Sequence, residues 1–159
     1  MTEAPWLTLY HDRVRAEWID YNGHMSEAYY VLVFGFATDA LLDHIGLGQE
    51  ERVRSKSSVY TVEAHIHYLS EAGEGEPLEV RTWLLTLDAK RARVFHALHH
   101  GDDGGLLATE ELMLLHVDTS GPRTAPFSPE VHARLEAMHE AQQHAPWPKQ
   151  AGRAIGQAK

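Results

Sequence analysis

The chain has 159 residues, 43% hydrophobic and 23% charged, which suits one folded domain and excludes a fibre or a disordered polymer. Its formal net charge of −9 opposes the attraction to phosphate that drives nucleic-acid binding. The absence of cysteine excludes disulfides, cysteine nucleophiles and thiolate metal sites.

No run reaches the roughly 18 uninterrupted apolar residues of a membrane span, because Thr38, Asp39 and Asp43 interrupt the best candidate. The opening "MTEAPWLTLYHDR" lacks a basic region followed by an apolar core, so no secretory signal is expected and a cytoplasmic location is.

Residues 7–19, "LTLYHDRVRAEWI", alternate loosely and predict a strand that sends Trp18 and Asp20 to one face. The turn formers Asp20, Asn22 and Gly23 follow, and then a helix from about Ser26 to Ile45, stopped by Gly46 and Gly48. Tyr29, Tyr30, Val31, Leu32, Val33, Phe34, Phe36, Ala37, Ala40, Leu41, Leu42 and Ile45 occupy nearly the whole circumference of that helix. A helix apolar all round is buried, so something must wrap it.

Four downstream segments have strand character: Ser57 to Leu69, Leu78 to Leu87, Arg91 to His100 and Leu106 to Val117. The linkers "SEAGEGEP", "DAKR" and "GDDGG" are short enough for antiparallel neighbours, which predicts a four-stranded meander. The last segment, "LLATEELMLLHVD", suits a helix by propensity, but its place in the meander favours a strand. An amphipathic helix over about Pro129 to Gln143 completes a domain of residues 1–144, and 145–159 read as a loosely held tail. The fold class is therefore α+β, an antiparallel sheet curled around one helix. One sheet cannot cover a helix on every side, so a second copy is expected, as a homodimer or homotetramer.

The frame Asp20, Gly23, His24 at the mouth of the helix, with Tyr30 inside it, resembles the hotdog-fold acyl-CoA thioesterases of the 4-hydroxybenzoyl-CoA thioesterase type. The likeness runs from about Tyr10 to Asp118, although Ser26 and Glu27 stand where members of that family often carry two asparagines. Six blocks, "WIDYNGHMSEAYY", "VFGFATDALLDHIG", "YTVEAHIHYL", "DAKRARVFH", "LLATEELMLLHVD" and "AGRAIG", are similar in order to the betainyl-CoA thioesterases of carnitine degradation. What the resemblance implies is hydrolysis of betainyl-CoA to glycine betaine and CoA, with no cofactor. The alternatives are a thioesterase for another short or aryl acyl-CoA, or a non-catalytic acyl-CoA binding module.

Thioester hydrolysis needs a carboxylate to attack the carbonyl or activate water, and donors for the oxyanion. Asp20 is the candidate carboxylate, since it precedes a helix N-terminus with free N–H groups; Gly23 permits close backbone approach, and Asn22 and His24 are candidates to orient the reacting groups. An Asp and an Asn before a helix also serve as N-caps, with Gly in a turn. Glu63, on the first meander strand, is a second candidate carboxylate.

A quaternary ammonium cannot donate hydrogen bonds and is held by aromatic faces. Trp18, Tyr21, Tyr29, Tyr30 and Tyr60 are the candidates, with Glu27 as a compensating charge. For the CoA phosphates the hairpin "KRAR" offers Lys90, Arg91 and Arg93, and Arg52, Arg54 and Lys56 form a second basic group. Twelve histidines raise the question of a metal, but no H-E-x-x-H or comparable ligand set appears, and no G-x-S-x-G elbow supports a serine hydrolase.

Overall fold

A computed structural model describes residues 5–157. Strand β1 (Leu7–Arg13) leads through a single 3₁₀ turn at Ala16–Trp18 to helix α1 (Glu27–His44) and the short helix α2 (Gln49–Ser55). Strands β2 (Ser57–Tyr68), β3 (Pro77–Leu87), β4 (Arg91–His100) and β5 (Leu106–Asp118) follow, then β6 (Arg123–Thr124) and helix α3 (Pro129–Gln142).

The antiparallel sheet runs β1-β3-β4-β5-β2, with β6 paired to β5. The four-stranded meander expected from the short linkers is therefore corrected to three strands, β3-β4-β5. Strand β2 lies beside β5, and residues 70–76 form a crossover instead of a hairpin. Their main chain explains the detour. Ser70 O accepts from the Tyr30 hydroxyl, Ala72 O accepts from Met25 N, and Val14 exchanges bonds with Glu76 O and Gly75 N. The crossover is thus tied across the start of α1.

Helix α1 ends where the sequence says it should. Gly46, at φ +80°, donates to Asp43 O and Leu47 N donates to Leu42 O, the paired bonds of a Schellman motif. Gly48 does not extend that stop but precedes α2, which the sequence reading missed. The first strand is also shorter than expected, because the 3₁₀ turn takes Ala16–Trp18 out of the extended chain.

Inward-facing residues of β3, β4 and β5 meet α1 in two layers. Near the helix start Tyr30, Val33, Phe34 and Ala37 pack with Leu78, Val80, Leu98 and Ala108; near its end Leu41, Leu42 and Ile45 join Leu84, Val94, Leu112 and Leu114, together with Val131, Leu135 and Met138 of α3. One sheet leaves one side of α1 uncovered, and Val31, Leu32 and Gly35 are exposed there in the single chain. The C-terminal segment is held more firmly than expected. Trp147 lies under the Arg93 guanidinium, Ala151 packs on the outer face of the sheet, and Gly152 N donates to Glu111. Among the described residues no single helix is long and apolar enough to cross a membrane.

Candidate active site

Asp20, Asn22, Gly23 and His24 form one tight loop immediately before α1. Asp20 N donates to His24 O at 3.0 Å, Gly23 N donates to Asp20 O at 3.0 Å, and Ile19 pairs with Met25 across the base. Gly23 adopts φ +82°, a conformation open to glycine and strained for other residues. One oxygen of Asp20 accepts from Asn22 N at 2.9 Å, and the carboxylate is part-exposed. His24 Nε2 lies 3.1 Å from Glu71 of the crossover.

In the first turn of the helix that follows, Tyr29 N donates to Ser26 O. Ser26 is the N-cap, yet its side chain makes no capping bond. First-turn amides without a cap are the positive end of the helix, available to a carbonyl oxygen or an anion.

Two aromatic pairs flank this mouth. Trp18 stacks on Tyr29 on the β1 side, with the Arg15 guanidinium 4.7 Å above the Trp18 ring. On the β2 side Tyr30 meets Tyr68 edge to face at 5.4 Å, and the Tyr68 hydroxyl donates to Glu27 O. Burial raises the Tyr30 and Tyr68 phenols above their ordinary range. Tyr68 was not anticipated from the sequence.

The other expected residues lie elsewhere. Glu63 sits at a bulge in β2, where the pairing shifts between Thr61 and Glu63. A one-residue slip exchanges the faces of a strand, so Glu63 points with Met113 and Glu111 to the outer side of the sheet, away from α1. There it lines a cavity of about 380 Å³ with His65, Arg93 and Arg153. Tyr60 pairs with Leu115 on that same outer face, and Tyr21 is 97% exposed at the tip of its loop.

Neither basic group is brought to the loop. Arg91 is bound to Asp88 in its own turn, and Arg93 is paired with Glu111. With Lys90 they mark the end of the sheet that packs on the C-terminal half of α1, roughly 27 Å of helix from Asp20. Arg54 is paired with Glu51, and Arg52 donates to Leu47 O.

Thr82, His96 and Glu110 face α1 from the middle of the sheet, as successive cross-strand partners. His96 is fully buried and fully satisfied. Thr38 gives its hydroxyl proton to Phe34 O, so it accepts from His96 Nε2, while Nδ1 accepts from Thr82. Burial pushes the imidazole down to about 3, and it remains neutral. Glu110, its neighbour on β5, is 5% exposed, and among the described residues no hydrogen bond or ion pair reaches its carboxylate. Desolvation pushes that carboxyl up to about 7. The sequence did carry a signal for it: in a strand, Glu110 shares a face with Leu112 and Leu114.

A long helix laid across a curled antiparallel sheet, with an acid-bearing loop at its start, defines the hotdog class of α+β folds. A family model described as the thioesterase-like superfamily matches residues 14–135, and the chain belongs to that superfamily. It is 51% identical over 150 residues to the betainyl-CoA thioesterase of Pseudomonas aeruginosa, covering 94% of both chains. It is 46% identical to an L-carnitine dehydrogenase/betainyl-CoA thioesterase of Agrobacterium fabrum, there covering 94% of this chain and 30% of the relative. Among solved structures, a Staphylococcus aureus protein in complex with CoA superposes with a TM-score of 0.88 at 27% identity, covering 99% of this chain and 100% of that one.

Proposed function

We propose that the protein hydrolyses betainyl-CoA to glycine betaine and CoA. The observation that carries this reading is a carboxylate loop set against the uncapped start of α1, in a chain half identical to a betainyl-CoA thioesterase along its length. The charge around the mouth suits a cationic acyl group: Glu27, Glu71 and Glu110 gather there with Trp18, Tyr29, Tyr30 and Tyr68. Acyl-CoA thioesters are intermediates of the cytoplasm, which is where we set the reaction.

In the proposed mechanism the thioester carbonyl lies at the start of α1, where amides near Gly23, His24 and the first helical turn polarise its oxygen. Asp20 delivers the attack, either by adding to the carbonyl to form a mixed anhydride that water then hydrolyses, or by deprotonating a water that adds to the carbonyl directly. The C–S bond breaks, CoA leaves as a thiolate and is protonated, and glycine betaine is released. Asn22 and His24 hold the loop that carries Asp20, and no cofactor takes part.

A second copy of the chain completes the fold in this reading. Strand β2 ends the sheet with unpaired main chain and exposes Tyr60 and Val62, and α1 leaves Val31 and Leu32 open. Sedimentation equilibrium is expected to give a dimer or tetramer, and a monomer would refute it. The activity is tested by thiol release from a panel of acyl-CoAs. Betainyl-CoA is expected to be cleaved far faster than acetyl-CoA; equal rates would overturn the substrate.

A further inference from the structure

Among the described residues, Glu110 stands out as a buried charge-bearing side chain facing α1 that no hydrogen bond or ion pair satisfies. Its position follows from register. Residues directly opposite in an antiparallel sheet point to the same side, so Glu110 shares the helix-facing surface with Ile66 of β2 and His96 of β4. Tyr68 lies two residues along from Ile66 on that same surface, and the Glu110 charge acts on its phenol, as does that of Glu27. The carboxylate therefore acts on Tyr68, whose hydroxyl donates to Glu27 O in the first turn of α1.

The carboxylate oxygens are not sealed in. They accept no hydrogen bond among the described residues, yet they are absent from the fully enclosed unpartnered atoms, of which Arg153 Nε is the example. The nearby side of α1 is open in the single chain, with Val31 and Gly35 exposed and nothing within 4 Å of a methyl group added at Gly35. A desolvated carboxylate that reaches open space beside two aromatic rings is a receptor for a cation that makes no hydrogen bonds.

Resting on the betainyl-CoA reading, we propose that Glu110 is the specificity-determining counter-charge for the trimethylammonium of the acyl group, with the rings of Tyr68 and Tyr30 beside it. Asp20 and the start of α1 act on the carbonyl, and Glu110 acts on the acyl charge. The two roles are separable because 3,3-dimethylbutyryl-CoA is the neutral carbon analogue of betainyl-CoA, with the same shape and the same scissile bond.

The test compares kcat/KM for the two thioesters. Glu110→Gln is expected to lower the value for betainyl-CoA by about 100-fold, the effect of one nearby charge in a partly desolvated site. The value for 3,3-dimethylbutyryl-CoA is expected to change by less than about threefold, since Gln preserves size and polarity. An equal loss for both substrates, in a variant that melts cooperatively and no earlier than the wild type, would make Glu110 a catalytic or structural group and overturn the proposal.

A second measurement uses the wild type alone, so it stands whether or not the variant folds. With the carboxyl near 7, preference for the cationic over the neutral substrate is expected to rise about tenfold from pH 6 to pH 8. The ratio cancels any titration of Asp20. Of the other groups near Glu110, His96 titrates far below this window and Tyr68 far above it, and Glu27 is told apart because the step is expected to vanish in Glu110→Gln. A preference flat with pH overturns the proposal. A wild type that cleaves the neutral thioester and ignores betainyl-CoA refutes the substrate reading itself, a result distinct from either.

Discussion

At its C-terminal end α1 closes on a Schellman turn and joins a layer made of Leu84, Val94, Leu112, Leu114 and the apolar face of α3. The polar groups there are all taken up: Arg134 donates to Ile45 O, and Gln142 accepts from Leu84 N and donates to Thr82 O. At the N-terminal end the cap makes no bond, the loop needs a positive φ, and Glu110 faces the helix without a partner. The two ends of one helix thus separate stability from function. Burial of apolar surface with every polar group satisfied stabilises a fold, whereas open donors and an uncompensated charge lower stability and await a ligand.

Four substitutions test that division. Asp20→Ala is expected to lower kcat by about 10³-fold, read as thiol release, while leaving the melting temperature nearly unchanged because the side chain is part-exposed. Leu41→Ala should show the converse. Leu41 is 1% exposed in the apolar layer, so its truncation is expected to cost about 4 kcal/mol and lower the melting temperature by about 10 °C, with kcat preserved at temperatures where the protein stays folded. A large loss of stability in the first variant, or of kcat in the second, would erase the distinction.

The pair at the middle of the sheet sharpens it. Glu110 has a folded value of about 7 against an ordinary 4.5, so the folded state holds the proton more tightly and stability falls as pH rises from about 4.5 to about 7. Glu110→Gln removes that penalty and is expected to stabilise by about 3 kcal/mol at pH 8 and by nothing near pH 4, followed by thermal melting. His96 acts in the opposite direction. Its folded value of about 3 against 6.5 means that stability is lost as pH falls from about 6.5 toward 3. The smallest effect belongs to Gly23→Ala, where φ +82° with open space around it is expected to cost about 1 kcal/mol through backbone strain alone.

Much of this was legible in the order of residues. The helix between Ser26 and Ile45, its glycine stop, the three hairpin-linked strands and the loop holding Asp20, Asn22, Gly23 and His24 all follow from local pattern and turn chemistry. What failed were inferences that required knowing which segments meet. The linker after β2 has hairpin length, yet its carbonyls serve Tyr30 and Met25, and β2 crosses to the far edge of the sheet. The face that Glu63 takes could not be read from composition, because the bulge that shifts the pairing between Thr61 and Glu63 leaves no mark there.

Periodicity, glycine placement and the polar loop before a greasy helix are properties of neighbouring residues, so the sequence alone determined the long elements, the fold class and the loop that holds Asp20. The partners of each side chain were decided only on folding, because burial and charge compensation depend on contacts between residues far apart in the chain. Folding gave His96 two threonines and left its neighbour Glu110 with none.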